Sequence, residues 1–523
     1  MTDQAATLRA PGEKPRKAVV LDEVRRLPLS YLSLLALIVG VVTGLGAVAF
    51  RDLIGLIHNL LFTGHAHVHY DANVFTLPSP WGAWVILVPV LGAAAVTFLV
   101  SNFAPEAKGH GVPEVMDAIY YKGGIIRPVV ALIKSLASAI AIGSGASVGR
   151  EGPIIQIGSA LGSTFGQVIR MPTGQRIALV AAGAGAGIAA TFNTPIGGVM
   201  FAIELMLPEV SVATFLPVAI ATGAATFVGR WFLGDQPAFH VPFIAPMGAN
   251  GVGLILLSLF AALGAVTGVA AAGFIRALHL IEDLFEAIGS RYLRHMLGML
   301  LVGILIWTLL QLFGRYYVEG VGYATVQAIL TGRLTAFWLL GLLFVCKALA
   351  TSLSLGSGSS GGIFSPSLFM GAALGGGFAA LLSSWGFSIP LSIPAFAMVG
   401  MGAMVGGGTG AVMTAVVMIF EMTLDYSVVL PMTLTVAVSY GLRRVLLSES
   451  IYTMKLARRG HPMPWALQAN AHLVRHVTEI NLDDAIVVPG STRCIDLVVS
   501  REDSEHEVVL TTDGRVSGVL SGA

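Results

Sequence analysis

Residues 149–153 read Gly-Arg-Glu-Gly-Pro, and this stretch decides the fold because it places two charges between long apolar runs. A glycine-rich approach at residues 143–147 precedes it, and another apolar run follows. A charged side chain at bilayer depth costs about 2.5–3.5 kcal/mol, so Glu151 is a functional candidate by default. The glycines and the proline also interrupt the helix, and interrupted backbone at that depth is tolerated only where it lines a protein or water cavity.

The composition is typical of a polytopic helical membrane protein. Of 523 residues, 55% are hydrophobic and only 11% are charged, and the mean hydropathy is +0.81. Apolar runs long enough, or nearly long enough, to span a bilayer cover residues 31–51, 81–101, 252–271, 295–313 and 336–353. These values exclude a soluble domain of this size. The formal net charge of +1 gives no reason to expect a nucleic-acid partner.

Basic residues cluster at both ends of the apolar region, within residues 9–26 and again within residues 443–459. Lys and Arg are enriched on the cytoplasmic side of membrane helices. We therefore expect a multi-pass protein of the cell (inner) membrane with both termini in the cytoplasm, which implies an even number of crossings. Residues 1–27 are predicted to be a cytoplasmic N-terminal segment, and residues 28–459 the membrane domain.

The chain contains a hidden repeat. An offset of about 213 positions, with a few residues of drift near the end, aligns Lys134 with Lys347, Gly149 with Gly362, Pro153 with Pro366 and Glu204 with Glu421. We therefore predict two related halves, about 81–233 and 251–448, with interrupted helices in corresponding places. Such repeats point to a binding site near the bilayer midplane, at the interface between the halves.

The composition changes after residue 459. Residues 460–523 are polar, with short β-like stretches and the turn signals Pro489-Gly490 and Asp513-Gly514. We predict a small cytoplasmic α/β domain here, weakly similar to a truncated CBS-type regulatory module.

Three glycine-containing breaks, at residues 109–113, 149–153 and 361–366, are candidates for an anion site. An apolar helical run follows each break, so each leaves free N–H groups at a helix N-terminus. Such a terminus carries roughly half a positive charge and binds an anion without a permanent cation. Weak binding of this kind also permits release.

Glu151 is placed to compete with an anion at such a site. Its deprotonated carboxylate can occupy the position, and protonation or rotation of the side chain vacates it. We therefore predict that Glu151 is both a gate and a proton acceptor. The alternative is a structural ion pair with Arg150.

Other site chemistries lack their signatures. The glycines are not followed by the Lys-Ser/Thr of a phosphate-binding loop, and no zinc-protease motif or nucleophile elbow is present. We therefore expect no enzymatic activity, no cofactor and no metal. The glycine cluster 183–187 is interpreted as close helix packing.

The three breaks resemble the motifs of the CLC family of chloride channels and chloride–proton antiporters, and suggest a bacterial member. The resemblance rests on GxGxP at 109–113, GREGP at 149–153 and GGIFSP at 361–366, in that order, and covers about residues 31–459. It implies an all-α polytopic membrane fold built as an inverted repeat of broken transmembrane helices. It also implies a homodimer in the lipid bilayer, in which each subunit has its own chloride pathway.

The resemblance also implies roles for individual residues, with Glu151 as the external gating glutamate. The implied anion-binding residues are His110, Gly111, Arg150, Gly152 and Tyr452, together with Ile363 and Phe364, which would bind the anion through their backbone amides. Tyr452 could equally be an interfacial aromatic residue. His110 stands where the family usually has serine, so it either binds the anion or is a neutral histidine satisfied by the backbone. This departure leaves open a fluoride- or nitrate-selective protein.

A second departure concerns proton coupling. Proton-coupled members commonly carry an inner glutamate directly after the position of Glu204, and this chain has Leu205 there. Leucine cannot relay protons, so we expect passive, channel-like chloride transport gated by Glu151. The alternative is a chloride/proton antiporter, because Glu204 is adjacent and water can substitute for a side-chain relay.

Overall fold

The computed structural model describes residues 27–242, 252–386 and 391–463, and three short strands. Its described residues divide into two units, one within Glu23–Ala471 and one that contains the three strands. In the second unit, strand β1 (Ile486–Pro489) runs parallel to β2 (Val508–Thr512), which pairs antiparallel with β3 (Arg515–Leu520). The rest of the predicted tail domain lies outside the described residues, and so do residues 1–26. The predicted similarity of the tail to a CBS module therefore stays a prediction.

Helices joined by loops make up the described part of the first unit. Its first eight α-helices are α1 Leu29–His58, α2 Val88–Asn102, α3 Val112–Tyr121, α4 Val129–Gly143, α5 Glu151–Val168, α6 Thr173–Phe192, α7 Pro195–Phe201 and α8 Val212–Leu233. The next nine are α9 Val252–Glu286, α10 Arg291–Phe313, α11 Tyr323–Leu330, α12 Phe337–Ser357, α13 Phe364–Ser384, α14 Ile393–Thr409, α15 Val412–Thr423, α16 Val429–Leu446 and α17 Ile451–Arg458. A π-helical turn, Ala202–Met206, continues α7.

Nine helical stretches within the described residues are long and apolar enough to cross a membrane. Large apolar side chains such as Leu91 and Trp231 are exposed on these helices, as lipid contact requires. Four further apolar helices have only 10–17 residues, so length alone does not fix the number of crossings. The predicted multi-span membrane architecture is confirmed, and the even number of crossings stays a prediction.

The two halves form an inverted repeat. Gly149 and Gly362, which the 213-residue offset makes equivalent, exchange antiparallel backbone hydrogen bonds with N···O distances of 2.7 and 2.6 Å. Because equivalent residues pair in opposite directions, the halves are related by a local two-fold axis. Packing repeats as well, since α5 packs on α6 as α13 packs on α14, and α1 packs on α8 as α9 packs on α16. The correspondence therefore includes α1, which lies before residue 81.

Two buried lysines perform the same task in the two halves. Lys134 donates from Nζ to the carbonyls of Ala107 and Gly109, at 2.9 and 2.7 Å. Its counterpart Lys347 donates to the carbonyls of Val318 and Gly320, at 3.1 and 2.8 Å. Both lysines are fully buried, where an ammonium group requires such acceptors. Each lysine therefore fixes the loop that leads into a short helix, α3 in the first half and α11 in the second.

Glycine pairs allow the long central helices to touch through their backbones. A Cβ atom on Gly158 of α5 would collide with the carbonyl of Gly183 on α6, and the reverse also holds. Gly371 on α13 and Gly400 on α14 make the equivalent contact in the second half. The cluster at residues 183–187 thus lies in a close helix contact, as small residues do between membrane helices.

Gly158→Ala should destabilise the protein by about 1–3 kcal/mol, because the added methyl group forces α5 and α6 apart. The matched control is Gly223→Ala on α8, where a Cβ atom meets nothing within 4 Å. Thermal unfolding in detergent measures both variants. Equal melting temperatures for the two variants would show that the α5–α6 contact is not tightly packed.

Candidate anion-binding site

Backbone hydrogen bonds join the three glycine-containing breaks at one place. The N–H of Gly109 donates to the carbonyl of Ser359 at 3.1 Å, and the N–H of Gly361 donates to the carbonyl of Gly109 at 3.2 Å. The Gly149–Gly362 pair links the second break to the third. The three breaks, each a candidate for the anion site, therefore lie together in the structure.

Glycine is required where the first two breaks touch. Gly111 has φ +86°, and a Cβ atom there would lie 2.6 Å from the carbonyl oxygen of Gly152. A Cβ atom on Gly152 would in turn collide with the carbonyl of His110 and lie 2.9 Å from Cα of Gly362. The structure thus assigns Gly111 and Gly152 the task of close backbone approach, and their predicted contact with an anion stays a prediction.

The start of α13 offers free hydrogen-bond donors. The helix begins at Phe364 with Ile363 as its N-cap. Within the described part of the chain, the backbone N–H groups of Ile363 and Phe364 have no hydrogen-bond acceptor. Orphan N–H groups and the positive end of the helix dipole together favour a bound negative charge.

The Glu151 carboxylate supplies that negative charge. Its side chain is fully buried, and Oε2 accepts a 3.3 Å hydrogen bond from the backbone N–H of Ser365, in the first turn of α13. Oε1 accepts short hydrogen bonds from the hydroxyls of Tyr323 and Ser365, and these two hydroxyl oxygens lie 2.7 Å apart. The carboxylate therefore lies at the start of α13, where an anion would be expected to bind.

Arg150 does not neutralise Glu151. Its guanidinium carbon lies 5.3 Å from the ring centroid of Tyr323 and 5.9 Å from that of Phe192, in cation–π geometry. No ion pair joins Arg150 to Glu151 among the residues that the structure describes. The alternative of a structural Arg150–Glu151 pair is therefore not what the structure contains.

Two cavities are lined by residues of this region, one by Tyr323, which contacts Glu151, and the other by Gly109 and His110 of the first break. One, of about 160 Å³, is lined by Arg51, Arg150 and Tyr323 among others. The other, of about 430 Å³, is lined by His110 and Lys455 among others. Each cavity is lined by more cationic side chains than carboxylates, and the excess of positive charge raises the local concentration of anions.

His110 and Tyr452 are both buried, with 4% and 2% of their surfaces exposed. Nδ1 of His110 has no hydrogen-bond partner within the described residues, so the backbone does not satisfy that nitrogen. Tyr452 lies in the first turn of α17, which packs on α3. Its burial excludes the alternative of an exposed interfacial aromatic residue.

Glu204 and Glu421 cap helices of the opposite half. Glu204 accepts hydrogen bonds from the backbone N–H groups of Met413 (3.1 Å) and Thr414 (2.8 Å), and from the Thr414 hydroxyl (2.7 Å), at the start of α15. The carboxylate of Glu421 accepts from the N–H groups of Ile196 and Gly197, at 3.1 and 2.6 Å, at the start of α7.

Leu205 is buried beside Glu204, and both residues line a cavity of about 150 Å³. A carboxylate therefore lies beside Leu205, which stands at the position expected for the inner glutamate of a proton-coupled protein.

Two residues of the site were not predicted from the sequence, the hydroxyl donors Tyr323 and Ser365. Tyr323 lies 172 residues from Glu151 and belongs to none of the three breaks. Its one signal is the repeat, because it follows Gly320-Val321-Gly322 as Val112 follows Gly109-His110-Gly111. Ser365 lies inside the third break, where the pattern of glycines assigns a role to the backbone and none to the serine hydroxyl.

Comparison with known proteins supports this description. A family model described as "Voltage gated chloride channel" matches residues 92–444. A ClcB-like chloride channel protein of Ralstonia nicotianae is 32% identical over 434 residues, which cover 80% of this chain and 95% of that relative. The H(+)/Cl(-) exchange transporter ClcA of Salmonella paratyphi B is 32% identical over 452 residues, which cover 84% and 91%.

Solved structures share the architecture. A slow cyanobacterial Cl⁻/H⁺ antiporter superposes with a TM-score of 0.71 at 26% identity, covering 83% of this chain and 99% of that one. A eukaryotic CLC transporter superposes with a TM-score of 0.68 at 19% identity, covering 94% and 97%, which bears on the fold alone. The predicted fold class and the predicted resemblance are confirmed.

Glu151→Gln should bind chloride more tightly than the wild-type protein, because a neutral amide competes poorly for the donors of α13. We expect a gain of more than about tenfold, because the variant lacks the charge that accepts all the hydrogen bonds of the Glu151 carboxylate, and a single such bond corresponds to about a factor of ten. Isothermal titration in detergent at several pH values measures it, and binding to the variant should no longer depend on pH. Glu209→Gln, which changes an exposed carboxylate, is the control; identical behaviour of the two variants would contradict competition at α13.

Proposed function

We propose that this chain, which belongs to the voltage-gated chloride channel (CLC) family, exchanges chloride for protons across a membrane. The proposal depends on the position of Glu151, a proton-binding group that lies at a helix N-terminus suited to an anion. The relatives named as exchange transporters and antiporters favour exchange. The sequence-based preference for passive, channel-like transport depended on Leu205 alone, and it becomes the second candidate.

Exchange follows from competition for one position. When Glu151 is deprotonated, its carboxylate occupies the donors at the start of α13. When Glu151 is protonated and leaves, the N–H of Ser365 is released, and chloride can bind there beside the unbonded N–H groups of Ile363 and Phe364. Chloride and the carboxylate therefore exclude one another, and each cycle of the carboxylate carries a proton. Binding by helix dipoles rather than by a permanent cation keeps the anion weakly held and releasable.

His110 and Tyr452 have secondary roles in the proposed pathway. Both are buried around the three breaks, and His110 lines the larger of the two cavities near Glu151. We assign His110 and Tyr452 to the chloride path, and Arg150 to the cavity on the Tyr323 side. The preference among chloride, fluoride and nitrate depends on position 110, where an imidazole replaces the hydroxyl that the family usually has.

Proton transfer on the side of Leu205 is assigned to its neighbour. Glu204 is half-buried and lines a cavity of about 150 Å³ together with Leu205. A carboxylate in contact with a cavity can exchange protons with water that enters it. The homodimer, the inner-membrane location and the cytoplasmic termini stay predictions.

Purified protein in liposomes should use an imposed chloride gradient to drive protons against their own gradient. The measurement pairs a chloride electrode with an external pH electrode on the same vesicles. Uphill proton movement that stops when chloride is replaced by an impermeant anion supports exchange. Chloride flux with no uphill proton movement would contradict exchange and establish the channel-like candidate.

Glu204→Gln should reduce the protons moved per chloride at least several-fold while chloride flux continues, because the amide cannot carry a proton. The amide also replaces one acceptor oxygen of the helix cap with a donor, a loss that the control shares. The matched control is Glu421→Gln, which alters the equivalent helix cap in the other half. The paired-electrode assay measures both. A similar loss of coupling in the two variants would show that helix capping, rather than proton transfer, is responsible.

A further inference from the structure

Two side-chain hydroxyls hold the gate carboxylate in addition to the backbone. The Ser365 N–H is a main-chain donor that any residue except proline at position 365 would provide. The Tyr323 and Ser365 hydroxyls are donors that depend on these residue types. Both side chains are buried, at 3% and 0% exposure, so no bulk water competes for the carboxylate.

The position of the Tyr323 hydroxyl is fixed from several sides. The ring of Phe239 contacts the Tyr323 ring edge-on, with centroids 5.3 Å apart, and Arg150 lies over the same ring. Tyr323 is the first residue of α11, and the loop before it is held by Lys347 through the carbonyls of Val318 and Gly320. A donor held this firmly loses little entropy when it bonds the carboxylate.

We propose that Tyr323 and Ser365 form a latch that holds deprotonated Glu151 at the start of α13 and sets how readily chloride displaces it. Hydrogen bonds to a charged acceptor are about twice as strong as those between neutral groups. The latch therefore stabilises the state in which deprotonated Glu151 occupies the site. It does so relative to the state in which Glu151 is protonated and the state in which chloride is bound. Both are positioning residues, because they act on chloride through Glu151.

The latch determines the pH response as well as the affinity for chloride. Both hydroxyls donate to the carboxylate that occupies the site, so the gate should open at higher pH when either is removed. Among the described residues, Lys347 and Tyr452 lie within electrostatic reach of Glu151, and Arg150 lies within electrostatic reach of Tyr323. Tyr323→Phe and Ser365→Ala leave all three in place.

Tyr323→Phe and Ser365→Ala test the latch, since each removes one hydroxyl and little else. Each variant should bind chloride about tenfold more tightly at neutral pH, the change expected from one lost hydrogen bond to a charged competitor. The midpoint of pH-dependent chloride flux should move upward by about one pH unit, because one pH unit corresponds to the same tenfold change in an equilibrium constant. Titration in detergent and chloride efflux from liposomes measure the two quantities.

Controls use buried hydroxyls that have no partner. The hydroxyls of Tyr120 and Ser352 are buried and unbonded within the described residues, so Tyr120→Phe and Ser352→Ala should match the wild-type protein. In a Glu151→Gln background, Tyr323→Phe should have no further effect on chloride affinity or on the pH profile. Wild-type affinity and pH profile in both latch variants would overturn the proposal, as would an undiminished effect in the Glu151→Gln background.

The latch depends on the proposed function only in that Glu151 is the gate. If the wild-type protein moves chloride without protons, exchange fails, while the shifts in chloride affinity and efflux still test the latch. If exchange is observed and the latch variants behave as wild type, the latch alone fails. Melting temperatures of the variants in detergent separate a change at the gate from a folding defect.

Discussion

The reciprocal hydrogen bonds between Gly149 and Gly362 are the constraint on which the site depends. Two residues beyond each glycine a helix begins, α5 at Glu151 and α13 at Phe364. Two positive helix ends are thereby held close together in a buried region, where their repulsion is weakly screened. A negative charge relieves that repulsion. The carboxylate of Glu151 supplies one, and a chloride ion can supply it in its place.

The repeat explains how the chain brings the two helix ends together. The difference between the two halves at the site explains why only one of them carries the competing carboxylate. Lys134 and Lys347 fix equivalent loops, while Glu204 and Glu421 cap equivalent helices of the opposite half. At the site itself equivalence ends, since Glu151 in the first half corresponds to Phe364 in the second. One half therefore carries the competing carboxylate, and the other carries the donors for which it competes.

Much of the fold was predictable from the sequence because glycine, proline and buried charge have few permitted uses inside a membrane. The three breaks, the repeat and Glu151 followed from those restrictions. The hydroxyls of Tyr323 and Ser365 did not, because a tyrosine or a serine in an apolar chain has many uses and only three-dimensional contact selects one. The sequence also did not distinguish a channel from an exchanger, since Leu205 cannot relay protons but Glu204, which can bind a proton, lies beside it.

The central claim is that the carboxylate and a halide share one position, and anomalous diffraction from crystals grown in bromide tests it most directly. In Glu151→Gln crystals, the account predicts a bromide peak within hydrogen-bond distance of the N–H groups of Ile363, Phe364 or Ser365, where wild-type crystals show the carboxylate. Bromide bound elsewhere in the variant, with none at the start of α13, would contradict it.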